Sequence, residues 1–194
     1  MNTNTRRLTD TAILIAMGTI LSLFKIDLPF GGGVTACSML PLVFISYRYG
    51  WKWGGFAGFV YSVLQLMLGL DNVRYASSAI MAAGIILLDY ILAYTVIGFA
   101  SLFGGKPSNT RKALVISIIV SFLLRFVCHL ITGAWIWGVW MPEEFMNMTM
   151  TSPWIYSFLY NGWYMLAEIV LTVAAAMAIY GPLEKYINGE DLAA

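Results

Sequence analysis

Four residues of one apolar stretch could do chemistry together. In Arg125-Phe126-Val127-Cys128-His129-Leu130-Ile131-Thr132-Gly133-Ala134-Trp135-Ile136-Trp137, an arginine and the single histidine of the chain interrupt a hydrophobic run. Arg125, His129, Gly133 and Trp137 recur every four residues, so on a helix they form one slowly drifting stripe. A cation, an imidazole, a gap and an indole on one face describe the wall of a pocket. The plainer alternative is a snorkelling arginine, a histidine bonded to a neighbouring helix and tryptophans of an interfacial belt.

Two further groups belong with this stripe. Tyr160, Asn161, Tyr164 and Glu168 recur near helical spacing, with Tyr156 one turn earlier. Their plainer reading is interfacial aromatics plus one interhelical hydrogen bond. Asp89-Tyr90 and Tyr94 sit in another apolar segment. Asp89, Arg125, His129 and Glu168 are ionisable groups deep in apolar segments, each costing at least ~2.5 kcal/mol at the centre of a lone helix in lipid. They are expected to face one another or a cavity.

The elements that must position them are transmembrane helices. The 194 residues are 60% hydrophobic and 11% charged, against about 25% charged in a soluble domain. The mean hydropathy is +0.77. A net charge of +1 gives no footprint for nucleic acid. Backbone groups cannot stay unpaired in hydrocarbon, and the ten-residue alternation of a membrane barrel is missing, so the segments read as helices. We expect an all-α membrane protein, one domain over residues 1–194, with six transmembrane helices. The segments run from about Leu8 to Phe24, Val34 to Tyr47, Gly54 to Leu70, Ala76 to Phe103, Ala113 to Trp140 and Trp154 to Tyr180. Thr9 or Asp10 could cap the first. The second is short, and five spans result if it is re-entrant. Gly54, Gly55 and Gly58 permit close helix contact. Gly181-Pro182 is expected to end or kink the last segment.

Basic residues set the topology. With the N-terminus in the cytoplasm, the inner side holds Arg6, Arg7, Arg48, Lys52, Lys106, Arg111, Lys112 and Lys185, and the outer loops hold Lys25 and Arg74. Both termini then lie in the cytoplasm. The basic start of the chain lacks a small-residue cleavage site and reads as a retained first span. Cys37 and Cys128 sit in apolar segments, without disulfide or metal-ligand spacing. His129 lies 11 residues from Trp140, about 16 Å along a helix. The picture is an outward-opening site with Asp89 and His129 below and Trp137, Trp135, Tyr75 and Tyr156 above. It suits a small aromatic cation: rings to stack on, a carboxylate to offset charge, an amide and an imidazole to read edges. No nucleophile elbow, zinc-protease motif or phosphate-cradling loop is present, so no catalytic residue is assigned.

The ordered pieces resemble a known family. Gly32-Gly33-Val34-Thr35 with Ser38-Met39-Leu40-Pro41, then Arg48-Tyr49-Gly50, Asp89-Tyr90 with Ala93-Tyr94 and Gly98, Arg125-Phe126 with Cys128-His129 and Gly133, and Tyr156 with Tyr160-Asn161-Gly162, resemble the thiamine-specific S components of energy-coupling factor (ECF) transporters. The resemblance spans nearly the whole chain. It implies the six-helix S-component fold and high-affinity thiamine binding in an outward-facing pocket. It implies no cofactor and no transport alone. Helix one would dock onto a transmembrane coupling subunit that carries two ATPases, which use the ATP, in the plasma membrane of a prokaryote. Ala12 and Ala16 match the family's docking motif, where spacing alone leaves internal packing open. Asp89, Tyr90, His129, Trp137, Tyr156 and Asn161 match its ligand contacts, with Gly133 lining the site and Arg125, Tyr75 and Trp135 beside it.

The chain also departs from the family. Ile91 follows Asp89-Tyr90 where a proline is usual, and the acid is Asp rather than the longer Glu. Trp135 and Trp137 are alternative stacking partners. The Met-rich loop from Met141 to Pro153 is hard to align, and Phe30 stands near the place of a first-loop tryptophan. A related S component for a thiamine precursor or another heteroaromatic vitamin, and a stand-alone carrier, are the other readings.

Overall fold

The computed structural model describes residues 3–27, 32–104 and 110–192, so Phe30 and Lys106 lie outside the described residues. Helix α1 spans Thr3–Leu23, α2 Leu40–Tyr49 and α3 Trp51–Leu68. Thr9 and Asp10 fall inside α1 and not at its cap: Thr9 Oγ1 donates to the Thr5 carbonyl at 3.0 Å. Pro41 sits in the first turn of α2, where a missing N–H costs nothing. Val34 and Thr35, the first residues of the expected second span, belong instead to a hairpin. Strand β1 (Lys25–Asp27) runs antiparallel to β2 (Gly33–Thr35), with Ile26 opposite Val34.

A 3-10 turn over Leu70–Tyr75 leads into α4 (Ala79–Gly84), whose Ser78 cap accepts from the Met81 N–H at 3.2 Å. The helix then widens to a π-helical stretch over Ile85–Leu92 and returns to α-geometry in α5 (Ala93–Gly98), followed by α6 (Ala100–Phe103). Asp89-Tyr90 therefore sits in a π-turn, a form that recurs at functional sites.

Helix α7 spans Arg111–Trp135 and is capped by Thr110, whose Oγ1 accepts from the Ala113 N–H at 3.1 Å. It stops before Trp137, which opens a 3-10 turn to Trp140. Strands β3 (Glu144–Phe145) and β4 (Met148–Thr149) form a second hairpin. Its turn residues Met146 and Asn147 have φ of 52° and 60°, the left-handed pair of a type I′ turn. Helix α8 runs from Pro153 to Ile187, with Pro182 inside it, and a further 3-10 turn covers Glu190–Leu192. Of the end or kink expected at Gly181-Pro182, the end does not occur: the helix continues past the missing N–H to Ile187.

The exterior, unlike that of a protein in water, is largely apolar. Helix α7 buries Ser117, Ser121, Arg125 and Thr132 while exposing Ile119, Leu123, Leu124 and Val127. Helix α8 buries Asn161, Tyr164, Glu168 and Thr172 while exposing Phe158, Leu166 and Val170. A continuous apolar exterior of this kind fits hydrocarbon rather than water. Among the described residues, three stretches, Ala79–Gly98, Arg111–Trp135 and Pro153–Leu192, are long and apolar enough to cross a membrane. That is fewer than six: α1 carries Arg6, Arg7 and Asp10, the apolar run of α3 is diluted by Lys52, Gln65 and three glycines, and α2 has only ten residues.

The helices close on small residues. A Cβ on Gly54 would fall 2.7 Å from Ser46 Cα and overlap the Gly98 carbonyl, so α2, α3 and α5 meet backbone to backbone there. The core between them holds Leu42, Ile45, Tyr61, Ile97, Ile118 and Phe122, all essentially inaccessible. Gly98→Leu is expected to overpack this seam by about 1–3 kcal/mol. Thermal unfolding of the detergent-solubilised protein would register it as a lowered midpoint, and an unchanged midpoint would contradict the contact.

Candidate functional site

A cavity of about 690 Å³ opens at the end of the molecule that carries both hairpins. It lies within the size range of small-molecule sites. Asp89 comes from the π-turn, Arg125, His129 and Gly133 from α7, Trp137 from the 3-10 turn, and Tyr156, Asn161 and Glu168 from α8. Tyr75 and Tyr90 line it as well. Trp135 does not: it is 48% exposed and packs across Gly84. Two residues along a helix turn a side chain to the far side. Because α7 ends at Trp135, the following turn carries Trp137 back to the cavity.

Asp89 organises the centre. One carboxylate oxygen, Oδ1, accepts from His129 Nδ1 at 2.9 Å and from the Thr132 hydroxyl. The other, Oδ2, accepts from the Trp137 indole N–H at 3.0 Å. With Asp89 accepting at Nδ1, the neutral imidazole presents a lone pair at Nε2. That nitrogen is buried and unbonded among the described residues. Asp89 thus sets the tautomer of His129 and the plane of Trp137 at once. Its charge stays in the cavity wall while its hydrogen-bond capacity is mostly used.

Two further charges have an unanswered atom. Arg125 is 8% exposed, with its guanidinium carbon 4.1 Å from the centre of the Tyr94 ring and Nη1 lacking a partner among the described residues. Glu168 Oε1 accepts from the Thr35 N–H at 2.6 Å and the Thr35 hydroxyl at 2.9 Å, while Oε2 is buried and unbonded. Buried polar atoms are nearly always satisfied, so a donor at Arg125 and acceptors at His129 and Glu168 await a polar guest or water.

Other predicted residues face inward but spend their groups on the scaffold. The Tyr90 hydroxyl donates to the Gly69 carbonyl at 2.9 Å and accepts from Asn72 Nδ2 at 2.8 Å, tying the α3–α4 connection to the π-turn. Asn161 Nδ2 donates to the Ser157 carbonyl and Oγ, both at 2.9 Å, and its Oδ1 accepts from the Tyr164 hydroxyl at 2.7 Å. A Cβ on Gly133 would lie 2.7 Å from Asn161 Nδ2, so the glycine lets α7 and α8 meet at this level.

Rings flank the mouth in two groups. Tyr75, Trp137 and Trp140 meet with centroids 5.7–6.1 Å apart. Tyr156 and Tyr160 stack at 5.6 Å, with Phe145 of β3 edge-on to both. The sequence reading did not assign Thr132, Ser157, Gln65, Asn72 or Thr35 to the cavity. Thr132 and Ser157 lie one turn from His129 and Asn161, and that spacing was the available signal. The other three come from loops and a neighbouring helix, whose approach no local pattern encodes.

This fold and cavity describe a helical membrane protein with an internal cavity of small-molecule size. Residues 8–188 match the thiamine transporter protein family, and the chain belongs to it. The chain is 31% identical to the thiamine transporter ThiT of Bacillus subtilis, over 95% of each sequence. It is 27% identical to ThiT of Lacticaseibacillus paracasei, over 84% of this chain and 81% of that one. A solved structure of ThiT from Listeria monocytogenes superposes with a TM-score of 0.73 at 21% identity, covering 96% of this chain and 99% of the other. The fold is therefore shared with that transporter.

Replacing Asp89 by Asn would set the amide N–H₂ against one of the three donors that Asp89 now accepts. About 1–3 kcal/mol of stability is expected to be lost with these bonds. A lowered unfolding midpoint together with red-shifted tryptophan emission would record it, and an unaltered emission spectrum would contradict the Trp137–Asp89 bond.

Proposed function

We propose that this protein is the thiamine-binding S component of an ECF-type vitamin importer in a prokaryotic cell membrane. The observation that carries the reading is the Asp89–His129–Trp137 constellation in a closed-in cavity, in a chain of the thiamine transporter family. Thiamine joins a thiazolium cation to an aminopyrimidine. The Asp89 carboxylate offsets the cation through space, and the Trp137 and Tyr75 rings offer it faces. His129 Nε2 accepts from the exocyclic amine, while Arg125 and Glu168 supply a donor and an acceptor for the remaining polar atoms. Tyr156 closes the opposite wall. Tyr90, Asn161 and Gly133 act by holding that wall in place.

Six spans are the proposed topology, with α1, α2, α3, the rod over 79–98, α7 and α8 each crossing once. The excess of basic residues in the loops assigned to the side opposite the cavity supports cytoplasmic termini and an outward cavity mouth. The protein binds no ATP. It docks to a coupling subunit that carries two ATPases. Exposed Ala12 and Ala16 of α1 border an apolar groove of about 380 Å³ against Phe56, Val60 and Leu64 of α3, and small residues there let a partner helix come close.

Titration of the purified protein with thiamine, followed by tryptophan fluorescence, tests the reading. Saturable quenching at submicromolar ligand without ATP is expected, and no quenching and no heat on folded protein would overturn it. Trp137→Ala is expected to weaken binding at least about tenfold, since a desolvated cation–π contact contributes ~2 kcal/mol. Calorimetry gives the affinity, and an unchanged value would remove Trp137 from the ligand site. Leucine at Ala12 and Ala16 is expected to leave affinity intact and abolish uptake by cells, whereas lost affinity would make α1 internal scaffold.

A further inference from the structure

The end of the molecule opposite the cavity holds an ion network that the binding site does not use. Arg48 stands in the Arg48-Tyr49-Gly50 turn, a place where the sequence suggests a solvated loop cation. Its side chain is instead completely buried. Nε donates to Asp10 Oδ2 of α1 at 2.9 Å. Nη1 and Nη2 form a two-pronged pair with Asp191, at 2.6 and 2.9 Å, and Nη1 also donates to the Tyr186 carbonyl at 2.7 Å. The guanidinium carbon lies over the Tyr186 ring, 3.9 Å from its centre. The Tyr49 hydroxyl donates to Asp10 Oδ2 at 2.6 Å, and Arg6 of α1 pairs with Asp191. Two cations and two carboxylates thus join α1, α2, the end of α8 and the turn over Glu190–Leu192.

Two features make this network more than an ornament of the surface. Gly189 adopts φ of +69°, which turns the chain after α8 back onto the Arg48 carbonyl. Only glycine takes this conformation without strain. The second feature is the weak seating of α1. Of its 21 residues only Thr11, Leu14, Ile15 and Gly18 are buried, so no buried apolar side chain anchors it before Leu14. Its inner half is held by Arg6 and Asp10 in the network, and by Trp53, which stacks under Arg7 and bonds the Thr11 hydroxyl at 2.8 Å. Ala12 and Ala16 follow directly.

We propose that Arg48 and Asp191 are positioning residues for the docking helix: the Glu190–Leu192 turn is a clip that fixes the inner half of α1 through Arg48. The docking part of this inference rests on the function proposed above. The network lies the length of α2 from the cavity, about 14 Å from Met39 to Arg48 at 1.5 Å per residue, and none of its side chains lines the cavity. The clip therefore acts on the partner-facing helix and not on the ligand. Its fork geometry also requires arginine, since a lysine supplies charge without two parallel donors.

The test uses the full chain in detergent, with amide exchange over residues 3–14 read by mass spectrometry. Asp191→Ala removes the fork, and Gly189→Val dislodges the turn without touching a charge. Both are expected to speed exchange in that segment at least tenfold, and Asp191→Glu to return it toward wild type. Thiamine affinity should stay within twofold, while uptake by cells that contain the ATPase partners falls at least fivefold. Unchanged exchange in both variants overturns the clip. Loosened exchange with full uptake, or affinity lost in step with uptake, overturns its role in docking. Wild-type protein that binds no thiamine would fail the proposed function instead, and the exchange result would still judge the clip.

Discussion

A carboxylate buried among apolar helices has to be met by donors, and Asp89 is met by three. His129, Thr132 and Trp137 converge on it from α7 and the turn beyond. Without them the charge would be too costly to keep inside the layer. With them, one residue fixes the separation of the π-turn from α7, the tautomer of the only histidine and the plane of an indole at the mouth. The π-helical stretch over Ile85–Leu92 belongs to the same arrangement. An extra residue in the turn changes which side chains face inward, and Tyr90 holds it in place by bonding back to the α3–α4 connection.

The scaffold solves the opposite problem from a protein in water. Many Leu, Ile, Val and Phe side chains face outward, while Ser, Thr, Asn161, Arg125 and Glu168 are buried beside the apolar core. Lipid supplies no hydrophobic drive between helices, so close contact depends on small residues and interhelical hydrogen bonds. The Gly54–Gly98 seam and the Gly133–Ser157 approach are the clearest cases. The first stacks α3 on α5 behind the cavity. The second lets α8 bring Asn161 to the level of His129.

Function divides between the two ends of the molecule. One end gathers rings and unsatisfied polar atoms around a cavity bordered by two hairpins. The other gathers a saturated ion network around Arg48. The Arg48 guanidinium has all its nitrogens bonded, whereas Arg125 Nη1, His129 Nε2 and Glu168 Oε2 have no hydrogen-bond partner among the described residues. Helix α1 touches both ends, with its last residues lining the cavity and its first residues in the network.

Much was legible without the fold. Apolar segments of bilayer length, a positive charge bias on one side and ionisable residues at four-residue spacing determined a helical membrane protein with an internal site. They also determined most of the residues that face it, because helical periodicity is a local property of the chain. Tertiary structure decided which of those residues are free to act. Asp89 and Asn161 looked like ligand contacts, yet most of their bonding capacity is taken by partners dozens of residues away or on another turn. Trp137 rather than Trp135 reaches the cavity because α7 ends between them, and α8 passes through Pro182 where composition suggested a stop. Arg48, apparently a loop cation, is buried because Asp10 and Asp191 come to it from distant parts of the sequence. Hydrogen-bond saturation depends on distances between elements remote along the chain, and no local pattern of residues specifies those distances.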